Sequence, residues 1–232
     1  MTRPTYAQLG DACATAHAME LIGSRWTYPI LRELFLGPKR FTGLLASVRG
    51  ITPAVLTSRL HEMTTAGLVQ PVPATASTAV PAYTLTAWAH ELAPILRELG
   101  RWAQSSPIRS DAGGLTPDAV VQAMITMAND IPAERTLQLQ LQLVDARVDA
   151  TRRHAYRVQW TQAGFSAERG KLTDPAATVH CDSSAWGRVL FTGLPIDDSG
   201  ATITGQRKAA GILIEGFRHA CARQRTTQIQ PA

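Results

Sequence analysis

Thr52, Ala54, Val55, Thr57, Ser58 and Arg59 bring hydroxyls, methyls and one guanidinium into a single short stretch, TPAVLTSR. Around them Ile51, Leu56, Leu60 and Met63 recur at helical spacing. That spacing turns an apolar stripe inward and leaves Ala54, Val55, Thr57, Ser58 and His61 facing out. Apart from Arg59 the outward face reads as uncharged and short-chained. Side chains of this kind enter the major groove of a duplex at little desolvation cost. There hydroxyls pair with base edges, methyls touch thymine and arginine spans guanine. Thr52 is placed to cap this helix, and Pro53 takes the first helical position, where its missing N–H is no loss.

A second kind of chemistry is offered by the thiol of Cys13. Reactivity needs a thiolate near positive charge and open to solvent. The neighbours Asp11, Ala12, Ala14 and Thr15 supply no such charge, while His17 lies one helical turn on. Cys13 therefore has two readings, a reactive thiol or a small packing residue. Cys181 and Cys221 read as core residues. The six histidines are dispersed, no C-x-x-C occurs, and neither a Gly-rich phosphate loop nor a supported Ser/His/Asp order is present. Asp197-Asp198 in PIDDSG reads as a loop rather than a carboxylate pair. We expect no metal, no cofactor and no enzymatic activity.

The elements that position the reading helix are legible on either side of it. Residues 11–22 suit a buried helix closed by Gly23, Trp26 to Leu36 a second closed by Gly37-Pro38, and Phe41 to Val48 a third. Gly67 then stops the helix of residues 53–66, Leu68-Val69 opens a strand and Tyr83-Thr84-Leu85 closes a hairpin, with Pro71 to Pro81 as its tip. Thr86 caps a long helix to about Gln104 that Pro94 should kink. That helix is more apolar than one supporting face requires, which suits a second subunit or cover from the rest of the chain. Helix, turn, helix, hairpin is the order of a winged helix-turn-helix.

Residues 105–114, SSPIRSDAGG, are a polar connector, and the chain changes character after them. Thr116-Pro117 opens a helix to about Asn129. TLQLQLQL then alternates as a half-buried strand, followed by strand candidates at 154–160, 165–169 and 178–181, a helix after Asp182, a short strand at 202–204 and a last helix over about 206–223. We expect an α+β fold in two domains: residues 1–110, mainly helical with a β-hairpin wing, and residues 111–232, helices on one side of an antiparallel sheet. Of 232 residues, the first 110 hold ten Lys/Arg against six Asp/Glu and the remainder thirteen against twelve. The basic half is the half with the reading helix. No stretch approaches the roughly 20 apolar residues of a membrane span, and the start MTRPTYAQLG lacks a leader core, so a cytoplasmic protein is expected.

The first half resembles the HxlR family of winged-helix regulators. The resemblance is carried by Cys13, Leu21-Ile22-Gly23-Ser24-Arg25-Trp26, ILRELFLGPKRF from Ile30 to Phe41, Gly50-Ile51, Leu56 to Leu60, Ala66 to Val69 and Tyr83 to Thr86. It implies a homodimer that binds a near-palindromic operator, its two reading helices about 34 Å apart. It also implies that a cysteine at position 13 can sense oxidants or electrophiles. The chain departs from the family in having Gln70 after Val69 and no Lys or Arg in PVPATASTAVP, which leaves phosphate attraction to Lys39, Arg40, Arg49 and Arg59. The second half resembles a sterol carrier protein-like domain through DPAATVHCDSSAWGRVLFTGLP and GATITGQRKAAGILIEGF. That resemblance implies an apolar cavity, for which Trp160, Phe165, Trp186, Phe191, Ile203 and Phe217 are the lining candidates, though the same residues would also fill an ordinary core. The expected whole is a DNA-binding regulator, a repressor answering to an apolar small molecule. The alternative is a thiol sensor with a structural second domain, and a third reading, a lipid carrier or enzyme, ranks below both.

Overall fold

The computed structural model describes residues 4–73, 81–104, 106–108, 113–128, 133 and 136–227. Two compact units divide the chain, Met1–Ala93 and Pro94–Ala232.

In the first unit α1 (Ala14–Ile22), α2 (Thr27–Leu34), β1 (Lys39–Arg40), α3 (Phe41–Ser47), α4 (Pro53–Thr65), β2 (Val69–Val72), β3 (Ala82–Leu85) and α5 (Ala87–His90) follow one another. The helical spacing read from the sequence becomes the core: Ile30, Leu31, Leu34, Leu44, Leu56, Leu60 and Met63 are each at most 2% exposed. Both ends of α4 are set by local chemistry. Thr52 caps the start by accepting from the N–H of Val55. At the other end Gly67 adopts φ +72, and the N–H groups of Gly67 and Leu68 turn back to the carbonyls of Thr64 and Met63. Only glycine takes that left-handed step freely, so the helix stops there. The strands form a three-stranded antiparallel sheet ordered β1-β3-β2. Pro71 sits in β2, an edge strand, where its missing N–H breaks no ladder. The tip of this hairpin, residues 74–80, lies outside the described residues.

Two expectations for this part of the chain change. Residues 14–22 are helical, but α1 buries none of its residues; apolar composition fixes a helix without fixing what covers it. The single kinked helix expected over 86–104 is two, α5 and then α6 (Leu92–Ala103). The Pro94 ring would meet the carbonyl of the residue four positions earlier in a continuous helix, and the break falls at Glu91. The division between units falls inside α6, whose Arg101 Nε donates to the Thr126 carbonyl in the second unit at 2.8 Å.

The second unit continues with α7 (Pro117–Ala128), β4 (Leu137–Asp145), β5 (Asp149–Thr161), β6 (Gly164–Arg169), β7 (Ala177–Asp182), α8 (Ser183–Phe191), β8 (Thr202–Gly205) and α9 (Arg207–Thr227). Its five-stranded sheet is ordered β6-β5-β4-β7-β8. The sheet is mixed rather than antiparallel throughout, because β7 lies parallel to β4, with Leu139 opposite Ala177 and Leu143 opposite Cys181. Alternation identifies a strand but carries no information on its neighbour. The face carrying Leu139, Leu141, Leu143, Tyr156, Val158 and Val179 is fully buried under the helices. Within that core the Tyr156 hydroxyl donates to Asp118 at 2.6 Å, and Arg169 pairs with the same carboxylate. On the opposite face Gln140 is nonetheless buried. Its side chain donates to the carbonyls of Tyr156 and Gly170 and accepts from the N–H of Leu172, pinning the loop after β6 across the sheet.

Candidate nucleic-acid interface

The outward face of α4 is built by the stripe opposite it. With Leu56, Leu60 and Met63 buried, Thr52, Ala54, Val55, Thr57, Ser58 and His61 are exposed. Hydrogen bonding within the helix then decides what each presents. Thr57 donates its hydroxyl to the Pro53 carbonyl at 2.9 Å, so its methyl and an oxygen lone pair are what remain for a partner. Val55 is 39% exposed, and with Ala54 and the Thr57 methyl it makes a patch of small apolar groups. Thr52 spends an oxygen on its capping bond.

Glu62 changes the reading of this surface. The sequence suggested a face uncharged apart from Arg59, yet Glu62 also lies outward, its side chain half exposed. Its two oxygens are engaged separately: Ser58 Oγ donates to Oε1 at 3.0 Å, and Arg59 NH1 donates to Oε2 at 2.6 Å. The signal was present in the sequence, since positions three and four apart on a helix are neighbours.

The flanking cations divide into two kinds. Arg40, at the N-cap of α3, and Arg49, in the turn before α4, are both exposed and form no ion pair among the described residues. Lys39 points inward and is 12% exposed along its side chain. Its ammonium pairs with the fully buried carboxylate of Glu33, whose other oxygen meets Arg32, and it also donates to Ser47 Oγ at 3.0 Å. Lys39 thereby joins β1 to α2 and α3.

The sequence profile of HxlR-like helix-turn-helix proteins matches residues 21–110. Over 86 residues, 37% of this chain and 80% of the relative, the sequence is 31% identical to the HTH-type transcriptional regulator YvaP of Bacillus subtilis. The chain belongs to the HxlR-like helix-turn-helix family. The HTH-type transcriptional regulator Rv3095 of Mycobacterium tuberculosis is 38% identical over 89 residues, which are 38% of this HxlR-like chain and 56% of that relative. The chain thus spans little more than half the length of that mycobacterial relative. Among solved structures, the reduced form of the transcriptional regulator YodB from B. subtilis is 27% identical, covering 44% of this chain and 100% of that one with a TM-score of 0.40.

The HxlR-like match takes in α4, Arg40 and Arg49 and begins after Cys13. In this HxlR-like chain Cys13 is exposed and immediately precedes α1. The backbone N–H of Ala16, and after it that of Thr15, hold its thiol below the ordinary thiol range. The activating charge that the neighbouring side chains do not provide therefore comes from the backbone at the helix start. His17 is turned to Glu20 at 3.6 Å.

In the second unit the pocket candidates form a packed group. Trp160, Phe165 and Phe217 meet with ring centroids 5.2–5.8 Å apart, and Phe191 touches Phe217 at 6.3 Å. Ile203 is half-buried on β8. Trp186 is fully buried, and its indole N–H has no hydrogen-bond acceptor among the described residues. A cavity of about 220 Å³ opens elsewhere, bounded by Arg157, Gln159, Ser166, Ala167, Glu168 and Leu172, and its lining is mainly polar. Among the described residues no group of His, Cys, Asp and Glu is arranged to hold a metal ion, and no helix is long and apolar enough to cross a membrane.

Proposed function

We propose that this chain is a DNA-binding transcriptional regulator that reads a near-palindromic operator as a homodimer and represses from it. One observation carries the reading: a capped helix, α4, turns a patch of small hydroxyl and methyl groups outward, flanked by the exposed cations Arg40 and Arg49. In this reading Ala54, Val55, Thr57, Ser58 and Arg59 meet base edges, Arg40 and Arg49 meet phosphates, Thr52 holds the helix start, and Lys39 supports the sheet on which Arg40 rides. A second copy of the chain is supported by two exposed apolar surfaces. In the first unit α1 buries none of its residues and leaves Met19 exposed, and in the second unit α6 exposes Ile95 and Leu99. The deciding experiment titrates the purified protein against its own upstream DNA and against random DNA at two salt concentrations. A preference above roughly 10³ for the upstream fragment supports the reading. Equal, strongly salt-sensitive binding to both counts against it.

The finer proposal gives the second unit, as a sterol carrier protein-like domain, the sensing of an apolar effector. The supporting observation is the buried Trp186 N–H, a donor without an acceptor among the described residues. An effector with one acceptor atom that reached this N–H would satisfy it. A fatty acid that releases DNA from the wild type, and fails to do so from Trp186→Phe, supports this.

The second reading rests on Cys13, an exposed thiol at a helix start that favours its thiolate. It makes the chain a sensor of oxidants or electrophiles. DNA release by diamide that persists in Cys13→Ser ends that reading.

A further inference from the structure

We propose that Glu62 is a specificity-determining residue that acts through Ser58 and Arg59, discriminating against DNA that offers phosphates alone. The inference rests on the reading of α4 as the DNA-reading helix. Glu62 is the junction of the outward face, since one carboxylate oxygen takes the Ser58 hydroxyl and the other takes the Arg59 guanidinium. The Arg59 side chain is only 24% exposed, and its Nε–H is buried with no acceptor among the described residues. Its guanidinium is therefore held along the helix between a buried Nε and the carboxylate, instead of swinging free on its methylenes. Ser58 is fixed at the same time.

The electrostatic consequence follows from the position of the pair. An unpaired arginine on this face would be drawn to any phosphate, whatever the sequence, and such attraction supplies non-specific affinity. Pairing with Glu62 cancels that charge, and the carboxylate itself repels phosphate. Only base edges repay the arrangement. The remaining Arg59 donors suit the O6 and N7 acceptors of guanine, and a cytosine amino group suits the carboxylate. A duplex without those groups desolvates the Glu62–Arg59 pair in the groove and offers it no new hydrogen bond in return, so discrimination arises from a penalty on wrong DNA as much as from attraction to right DNA.

The test uses the full-length protein and a duplex that it enriches from a randomised library, with unselected DNA of equal length as the reference. For Glu62→Gln we expect tighter binding to unselected DNA and a fall of about tenfold in the preference for the enriched duplex, the lower range of one base contact. The salt dependence on unselected DNA should steepen by about one phosphate contact. In an Arg59→Ala background the same change should lower the preference by clearly less. An unaltered preference, or equal weakening on both DNAs with an unchanged salt slope, overturns the inference while leaving the function reading in place. A wild-type protein that enriches no sequence overturns the function reading and this inference with it.

Discussion

Gly216 lies against the Cζ3–Cη2 edge of the Trp160 indole: a methyl group on that glycine would stand 2.4 Å from both of those ring carbons. Trp160 on β5 and Gly216 in α9 are thus fitted to one another, and the ring in turn meets Phe165 and Phe217. Gly216→Ala gains about 1 kcal/mol of helix propensity and incurs about 1–3 kcal/mol of overpacking. We expect the clash to win, with a lower urea midpoint and a shifted tryptophan emission. A rise in the midpoint would mean that the ring moves aside without cost.

Tyr156→Phe removes the hydroxyl that donates to the buried Asp118 and keeps the ring. A hydrogen bond to a charged partner contributes about 1.5–3 kcal/mol, so a loss in that range is expected by chemical denaturation. Arg169 still faces Asp118 in the variant, which should keep the domain folded. A loss below half of that range would indicate that the arginine alone satisfies the carboxylate.

Lys39 and Arg40 are adjacent in sequence and should behave oppositely. Lys39→Ala leaves the buried Glu33 short of a partner, a change that costs up to about 3–5 kcal/mol, moderated here by Arg32. Arg40→Ala should leave the thermal midpoint nearly unchanged, weaken binding to all duplexes alike and reduce the salt slope by about one. Equal effects of the two substitutions on stability would refute the assignment.

The two described thiol environments give opposite pH behaviour. At Cys13 the N–H groups of Ala16 and Thr15 lower the thiol, so iodoacetamide should modify Cys13 ahead of Cys181 and Cys221 at neutral pH. At Cys181 burial pushes the thiol up to about 11. A folded-state value above the unfolded one means that the neutral thiol stabilises the fold below the ordinary thiol range. That contribution is lost as pH rises through about 11. The stability of the wild type should therefore fall across this window more steeply than that of Cys181→Ala, and parallel curves would contradict the assignment.

What could be read from the sequence was what neighbouring residues determine among themselves. Thr52-Pro53 and Thr116-Pro117 each announced a helix start, and in the structure Thr52 accepts from Val55 and Thr116 from Ala119. Leu137, Leu139, Leu141 and Leu143 announced a half-buried strand, and all four are buried. The inward turn of Lys39 was invisible because its partner Glu33 lies on another element. Pairing of β7 with β4 was invisible for the same reason. Glu62 stands three and four positions from its partners, a spacing visible in the sequence, but the apolar stripe defines which face is outward and carries no information on the charge pairs across it. The lowered thiol of Cys13 comes from backbone N–H groups, which side-chain identities do not report.

The position of β4 has a consequence for how the second unit comes into being. This strand meets β5, which follows it, but its other edge is closed only by β7, so that Leu139 waits for Ala177. A ribosome that has released β4, β5 and β6 has made a sheet with a long apolar strand open along one side, the arrangement that recruits other chains. Such non-local closure is slow compared with helix pairing. Refolding of the second unit should therefore set the pace for the whole chain, and proteins truncated near Gly170 should collect as insoluble material even though most of the sheet's residues are present.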